Sequence, residues 1–579
     1  MKLIWFILLQ VFFLLLFPTN LYAFTRVTDI SLGGATVTVG NLEATFETIK
    51  ANIKANKTIK GERNKLPTMI TLVHGRQVDP TNIQIEINTS QLIATSKMDG
   101  QLPISNQGFL NAVQESISLF ENVPIADIMF KPLKFTSTPA SPDDGRNVLL
   151  FRPIESVEGI ASGAGGASVS IINVAKTENI IFMGQKIMVK PGTLLDVDVV
   201  FDPPDNDPCL FFEIHGGDYK IGGNPNAVRL EPKGKSIDEC KNPAYADVGD
   251  FAVRGIARVL GLESSAIASS AFSRSPVDMT KYKFTNDDEI GLANLYPKTA
   301  EINKTRGTIN GKVVINKKPH IGVHVVLEDL ISGEPVASAF TDIEGDFEIR
   351  AIPEGTYSVY TEPLDGRVRP TDFVYNSFAS NAKLDFATAV FPEPITIKAN
   401  MTTSIRLEFE KQPRSAFNLN TQIIPGVFTE QEAIDGGLGV TPIPIRIRPG
   451  QRISKVRFWG DNISTDFGTL SITGDGITLS NIENEHNFIG PPICEDCEID
   501  ETTGKVVPEK CPENPFCPPP RRIAASPDKV PGITADITAS PDAKPGPRSI
   551  IFTGDKLDTD HPSFGLRDQL TGAIIIREE

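Results

Sequence analysis

The chain has 579 residues and a formal net charge of −16, with 40% hydrophobic and 7% aromatic residues. This length exceeds what one hydrophobic core can organise, so several domains are expected. The acidic balance shows no basic patch, which argues against nucleic acid as the partner. The 46 glycines and 44 prolines favour many short strands and turns.

The first 23 residues have the pattern of a secretory signal peptide. Lys2 supplies a positive charge, the stretch from Leu3 to Phe17 is nearly all apolar, and Leu21-Tyr22-Ala23 resembles a cleavage site. The apolar run is short for a membrane anchor, and no later stretch is long enough to cross a bilayer. We therefore expect a mature chain without a membrane span that is secreted, periplasmic or attached to the cell surface.

Residues 24–300 mix helical and strand patterns and are expected to form the first domain. In chain order, the sequence first predicts a strand at 83–87, a helix at 106–121, and strands at 147–151 and 196–201. A long loop insertion is then expected at 203–247. Two helices follow: the first is ended by Gly261, and the second is capped by Thr285 with Asp288 and stopped by Pro297.

The main functional clue is one segment that reads R-G-I-A-R-V-L-G-L-E-S from Arg254 to Ser264. Metzincin zinc endopeptidases use H-E-x-x-H-x-x-G-x-x-H, in which the His residues bind zinc and the Glu activates bound water. The segment resembles this motif in its apolar frame and in Gly261. However, Arg254, Arg258 and Ser264 stand at the His positions, and Gly255 stands at the Glu position.

Further segments extend the resemblance over residues 65–300. They are the helix at 106–121 with the strand that follows it, the strand after Asp144-Gly145, the strand at 196–201, the helix at 285–297, and Ala271-Phe272 near the expected Met-turn. The resemblance implies a matrixin-like α+β domain that has lost its zinc ligands and catalytic base. The alternative is an amphipathic helix in an unrelated α+β domain.

Beyond residue 300 the helical patterns end and short strands alternate with turns. Residues 305–411 resemble a carboxypeptidase regulatory-like, transthyretin-like sandwich, on segments such as 307–315, 341–347 and 352–357. Asp342, Glu344 and Asp346 could indicate calcium, but we favour a hairpin turn with Gly345 at positive φ and the acids in solvent. Residues 415–579 resemble an immunoglobulin-like β domain, closed by a hairpin between strands at 535–538 and 549–553.

Six cysteines in an exported chain indicate disulfides rather than free thiols. Cys209 and Cys240 flank the polar insertion and are expected to pair. The other four lie close together, and their pairing is left open: Cys494, Cys497, Cys511 and Cys517. A four-thiolate zinc site is the alternative for this group, but the last interval is loose for such a site.

These patterns predict a metzincin-like α+β domain followed by two all-β sandwiches. The resemblance implies a secreted, non-catalytic pseudopeptidase that binds an extracellular protein, a peptide or a cell-surface component. No cofactor is expected, because Arg254 and Arg258 cannot ligate a metal and Gly255 cannot act as a base. One alternative is a secreted zinc metalloendopeptidase with a divergent site, which would hold zinc. A second is a structural surface protein.

The mature N-terminus is expected to be Phe24, because Ala23 ends the signal-like segment. N-terminal sequencing of the exported protein checks this. Exported material that begins at Met1 would contradict it.

Overall fold

The computed structural model describes residues 24–26, 76–77, 79–88, 92–94, 106–138, 145–151, 166–172, 178–182, 185–189, 193–201, 210–214, 228–232, 244–272, 284–342, 344–364, 386–409, 418–422, 445–461, 463–485, 493–496, 521–524, 532–557 and 565–577. We refer to residues 24–305 as the first region, 306–409 as the middle region and 418–577 as the third region. The predicted signal peptide at 1–23 lies outside the described residues.

The first region contains helices and strands in alternation. Its helices are α1 (Asn106–Glu121), α2 (Val248–Val259), α3 (Asn286–Leu295) and α4 (Thr299–Thr305). Its strands are β1 (Phe24–Arg26), β2 (Arg76–Gln77), β3 (Ile85–Asn88), β4 (Leu92–Ala94), β5 (Lys134–Phe135), β6 (Asn147–Phe151), β7 (Gly166–Ile172), β8 (Glu178–Phe182), β9 (Gln185–Val189), β10 (Thr193–Phe201), β11 (Leu210–Ile214), β12 (Val228–Pro232), β13 (Ala244–Asp247) and β14 (Leu262–Ser265).

The main sheet of the first region has the order β2-β10-β6-β3-β5, with β7 also paired to β10. The pairs within this order are parallel, whereas β7 runs antiparallel to β10. Apolar residues of this sheet share one core with α1 and α2, and Phe120 stacks on Phe272 with ring centroids 5.9 Å apart. Each large apolar side chain that is fully buried there contributes roughly 1.5–3 kcal/mol to folding.

Local signals placed the helix boundaries correctly. The helix predicted at 106–121 is α1. At α3, Thr285 Oγ1 accepts the backbone N–H of Asp288, and the Asp288 carboxylate accepts the backbone N–H of Thr285 at 2.8 Å, which confirms the capping box. Gly261 follows α2 with a φ of +86°. A residue without Cβ adopts this left-handed conformation readily, so Gly261 ends the helix as predicted.

The prediction that residues 203–247 form a loop insertion is wrong. Three strands lie in this segment, and they join β4 in a second sheet of order β13-β11-β12-β4. The many prolines, glycines and acidic residues mark the connections, while the short strand segments between them lack a strong alternating pattern. The pairing of β12 with β4, more than 100 residues earlier in the chain, is a long-range contact that local periodicity does not report.

The middle region is a pair of facing sheets. Its strands are β15 (Arg306–Ile315), β16 (Lys318–Pro319), β17 (His324–Asp329), β18 (Pro335–Phe340), β19 (Asp346–Pro353), β20 (Gly355–Glu362), β21 (Ala389–Val390), β22 (Ile395–Ile397) and β23 (Thr402–Phe409). One sheet has β15 paired with β16, β19 and β23, and the other contains β18-β17-β20 with β21 and β22. Alternate residues such as Val325, Leu327 and Val359 form the core between the sheets.

The segment between β18 and β19 contains the predicted tight turn, but the prediction of a hairpin is wrong, because β18 pairs with β17 whereas β19 pairs with β15 in the other sheet. Glu344 is exposed, as expected. Gly345 has a φ of +75°, as expected. Asp342, by contrast, is buried, and its Oδ1 accepts the backbone N–H groups of Glu344 at 2.9 Å and Asp346 at 2.8 Å. The carboxylate of Asp342 therefore shapes the turn from inside, because its oxygens replace solvent as acceptors for the turn amides.

The third region is a second pair of sheets. Its strands are β24 (Asn418–Gln422), β25 (Ile445–Ile447), β26 (Arg452–Asp461), β27 (Thr469–Ile472), β28 (Ile477–Glu485), β29 (Ile493–Asp496), β30 (Arg521–Ala524), β31 (Gly532–Ala539), β32 (Gly546–Thr553) and β33 (Arg567–Ile576). The sheets have the orders β24-β26-β31-β28 and β25-β33-β32-β27.

The predicted closing hairpin of this region is wrong, because β31 and β32 lie in different sheets. Residues 540–545 carry the chain from one sheet to the other, and β32 pairs instead with β27 and β33. The turn residues Lys544-Pro545-Gly546 reverse the chain equally well in a hairpin and in a crossing between sheets, so they do not specify the partner strand.

The architecture is mostly β-sheet, and β-sandwich regions follow the mixed first region. The domain boundaries at 300, 305, 411 and 415 stay predictions. Among the helices described, none has both the length and the apolar character that a bilayer crossing needs.

Replacing Gly345 with Ala is expected to destabilise the protein more than the same change at Gly450. Both glycines have nearly the same φ, +75° and +76°, so both changes incur the strain of the left-handed conformation, about 1 kcal/mol. An added Cβ at Gly345 would lie 2.5 Å from the Val313 carbonyl oxygen, whereas Gly450 has open space within 4 Å. Gly345→Ala should therefore cost at least twice as much free energy of unfolding, measured in urea. Equal losses would contradict this.

Candidate functional site, a buried polar interface between the three regions

The residues singled out in the sequence lie on α2 and just after it. Arg254, Gly255 and Arg258 belong to α2, where the two Arg residues are one turn apart and partly buried. Ser264 lies in β14, beyond the turn at Gly261. In the parts of the chain that the structure describes, no three His, Cys, Asp or Glu side chains are grouped to hold a metal. The functional role of the segment stays a prediction.

The disulfide assignments also stay predictions. The backbone of Cys494 lies in β29, and the remaining cysteines lie outside the described residues: Cys209, Cys240, Cys497, Cys511 and Cys517.

The most concentrated group of buried polar side chains lies where the middle region meets the third. In β17 and β20, alternate residues point away from the core of the middle region and towards β33. On β33, alternate residues point back towards them. We call the following side chains the interface cluster: His324, Glu328, Tyr360, Glu362, Arg567, Gln569 and Thr571.

One carboxylate organises half of the interface cluster. The Thr571 hydroxyl lies 3.1 Å from both oxygens of Glu362, and His324 Nδ1 lies 2.6 Å from Oε1 of the same group. The Tyr360 hydroxyl lies 2.9 Å from Thr571 Oγ1. An ionised carboxylate only accepts, so Thr571 donates to Glu362 and Tyr360 donates to Thr571. The result is a continuous chain of donors that crosses between the two regions.

A second carboxyl group, Glu328, forms the other half of the cluster. Gln569 Nε2 donates to Glu328 Oε2 at 3.4 Å, and the Arg567 guanidinium lies 5.3 Å from the centre of the Tyr360 ring. Burial raises the pKa of Glu328 to about 7, although the charge of Arg567 and the donors Ser549 and Gln569 act in the opposite direction. The net effect is a raised pKa, because these partners replace only part of the hydration that the carboxylate loses on burial.

The first region reaches the same place through the segment after β14. The backbone N–H of Ala268 donates to the Thr571 carbonyl at 2.9 Å. Beside it, Gly572 has a φ of +68°, and a Cβ there would lie 2.5 Å from Ser269 Oγ. The absence of a side chain at residue 572 therefore allows the two backbones to approach closely.

α3 joins the first region to the middle region. Asp287 is fully buried, and its carboxylate accepts the hydroxyl of Ser265 at 2.9 Å and that of Ser338 at 3.5 Å. Burial, followed by the neighbouring charge of Asp288, raises the pKa of Asp287 well above its ordinary value. Next to it, Asn286 Nδ2 donates to Glu334 Oε1 at 3.1 Å.

Glu334 also faces the third region. Burial raises its pKa, while the Asn286 amide and the charge of Arg548 act in the opposite direction. Arg548 is itself buried, with nitrogens that donate to the carbonyls of Pro547 at 2.9 Å and Lys544 at 3.0 Å. Because neither charge is well hydrated, each depends on the other to offset its burial.

The arrangement favours cohesion rather than catalysis. A nucleophilic hydroxyl needs a base placed to accept its proton. Here Thr571 and His324 both bind the carboxylate of Glu362, so the imidazole is not hydrogen-bonded to the hydroxyl. What the cluster provides is a set of buried hydrogen bonds that form only when the regions are correctly apposed.

Sequence reasoning missed the interface cluster. Its one local signal is polar residues at every second position near strand ends, as in Arg567, Gln569 and Thr571, or Tyr360 and Glu362. Such a pattern normally indicates a solvent-exposed strand face. Only the packing of the third region against this face turns it into a buried site.

Comparisons with known proteins do not place the chain in a family. No family model matches it, and no curated protein matches it either. Solved structures that show a partial match include the major pilin SpaD from Corynebacterium diphtheriae, with 8% identity over 46% of this chain and 64% of the pilin and a TM-score of 0.14. BcpA, the major pilin subunit of Bacillus cereus, has 12% identity over 47% of this chain and 69% of its own, with a TM-score of 0.14.

A candidate adhesin from Bacteroides ovatus has 9% identity over 43% of this chain and 77% of its own, with a TM-score of 0.12. The chain thus spans somewhat less than two thirds of SpaD. At these scores the similarity carries no argument about function.

The resemblance to matrixin-type peptidases is wrong. No family model supports it, and the three solved structures named above as partial matches are two pilins and an adhesin-type protein, not peptidases. The features that suggested it are an apolar helical frame and a glycine at the helix end. Any buried amphipathic helix with a left-handed residue at its C-terminal end has these features. The zinc-binding histidines and the catalytic glutamate, which would make the motif specific for the peptidases, are absent.

Replacing Thr571 with Val should weaken the interface while leaving each sheet intact. The change removes the donor to Glu362 and the acceptor for Tyr360 but keeps the side-chain shape, so the expected loss is about 1–3 kcal/mol. Thermal unfolding measures it, with Thr402→Val on the exposed surface of β23 as the control. A loss no larger than that of the control would show that the hydrogen-bond chain contributes little.

Proposed function

We propose that the protein acts outside the cell as a non-catalytic binding or adhesion protein, in which the β regions hold a binding surface on a stiff support. The observation that carries the proposal is the interface cluster, which joins the middle and third regions through buried, hydrogen-bonded polar groups.

The physical support is that such an interface resists relative motion. Ordinary contacts between domains are modest in area and allow the domains to move. A small shift of this interface that admits no water would leave Glu362, Tyr360 and Thr571 without their mutual partners, at about 1–3 kcal/mol for each group that stays buried. A rigid connection suits a protein that must transmit force between a surface and a ligand.

The export signal and the partner class belong to the same proposal. The signal-like segment before Phe24 directs the chain out of the cytoplasm. The partner would be an extracellular protein, a peptide or a cell-surface component, bound without chemical conversion.

A structural surface protein is the second candidate. It is favoured by β28, which lies at the end of its sheet and pairs only with β31 among the strands that the structure describes. Its exposed residues include Ile482, and an open edge of this kind can accept a strand from another molecule. Under this candidate, self-association rather than ligand binding would be the activity.

Binding of the purified exported chain to immobilised extracellular-matrix proteins and glycans tests the proposal. We expect saturable binding to at least one class of surface and no cleavage of the bound protein. The heat-unfolded chain, which keeps the composition but loses the interface, is the control. Absence of binding together with ordered filaments in electron micrographs would support the structural candidate, and absence of both would contradict both candidates.

A further inference from the structure

Glu328 is a buried carboxyl group at an interface, and its surroundings supply incomplete compensation for a negative charge. From its own sheet it faces Tyr360 and Glu362, a phenol and a second carboxyl group. From β33 it faces Arg567 and Gln569.

From β32, Glu328 faces the Ser549 hydroxyl and, at longer range, the buried charge of Arg548. His324, on the same strand as Glu328, is hydrogen-bonded to Glu362 and does not reach it. The nearby Arg567 guanidinium, the more distant Arg548 guanidinium and two neutral donors only partly offset the nearby charge of Glu362 and the desolvation of the carboxylate.

We propose that the interface between the middle and third regions is a proton-dependent joint, tight when Glu328 is protonated and looser when Glu328 is ionised. A protonated Glu328 is neutral, so it incurs no charge desolvation, and it can donate its own proton within the cluster. An ionised Glu328 can recover hydration only if β33 moves away from β17 and β20.

The direction of the effect follows from proton linkage. The pKa of Glu328 is about 7 in the folded protein against an ordinary 4.5, so the folded state binds this proton more tightly than the unfolded state does. The stabilising contribution is therefore fully present below about pH 4.5 and is lost as the pH rises through about 7. Acidic conditions tighten the joint, and mildly alkaline conditions loosen it.

Other interface carboxyl groups reinforce this direction. Burial also raises the pKa values of Asp287 and Glu334, which link the first region to the middle region and the middle region to the third. Protonation at all three positions favours the closed arrangement. For Glu328 the raised pKa, about 7, lies near neutral pH.

The test compares the pH dependence of unfolding in the full chain and in Glu328→Gln, which keeps the shape and the neutral state. Between pH 5 and 8.5, the ratio of folded to unfolded protein should fall in both proteins, and the fall should be on the order of 100-fold larger in the unaltered protein than in the variant. Glu344→Gln, on the exposed turn after β18, is the matched control and should follow the unaltered protein. Identical pH profiles for Glu328→Gln and the unaltered protein would overturn the proposal.

Arg567→Gln is a second variant, and the test with it can be carried out even if Glu328→Gln fails to fold. The Arg567 charge lowers the pKa of Glu328, so its removal should move the loosening to higher pH. Small-angle X-ray scattering of the same samples reports loosening directly, as an increase in maximum dimension above pH 7 that Glu328→Gln lacks. A shift to lower pH in Arg567→Gln, or dimensions that do not change with pH, would also overturn the proposal.

Discussion

The shared carboxylate of Glu362 is the interaction on which the arrangement of the three regions depends. It collects the Thr571 hydroxyl from the third region and the His324 imidazole from the middle region, and Thr571 in turn accepts the Tyr360 hydroxyl. Beside it, the Thr571 carbonyl accepts the Ala268 amide of the first region. One residue on β33 thus contacts all three regions. A small displacement of this strand that admits no water would leave buried polar atoms without partners, which is more costly than losing the same bonds in water.

The polar character of this interface gives it a specificity that an apolar contact would lack. Apolar surfaces tolerate small shifts, because dispersion and hydrophobic burial are nondirectional. Hydrogen bonds of about 3 Å do not tolerate such shifts, so a displaced arrangement loses several of them at once. The glycine at position 572 adds a steric requirement, since a Cβ there would overlap Ser269. The stiffness of the interface therefore comes from directional hydrogen bonds and from the close approach of two backbones, and not from the buried surface area alone.

The same polar groups make the interface responsive to its surroundings. Each buried carboxyl group can hold either a proton or a charge, and burial favours the proton at Glu328, Asp287 and Glu334. Under the proposed function outside the cell, where pH is less closely controlled than in the cytoplasm, stiffness and pH sensitivity would arise from one set of residues. A binding surface supported on this joint would be held more firmly in acidic surroundings than in alkaline ones.

Local sequence determined the local features of this protein. The capping box at Thr285, the left-handed glycines at 261 and 345, and the strands at 147–151 and 306–315 follow from side chains that act within a few residues of themselves, and all were predicted from the sequence. Tertiary structure alone decided which strands are partners: β32 crosses to another sheet, and the segment at 203–247 completes a sheet begun by β4. It also decided that Glu328 and Glu362, which alternate as solvent-facing residues do, are buried. Burial of a strand face depends on what packs against it, and in this protein that partner lies more than 200 residues away in the chain.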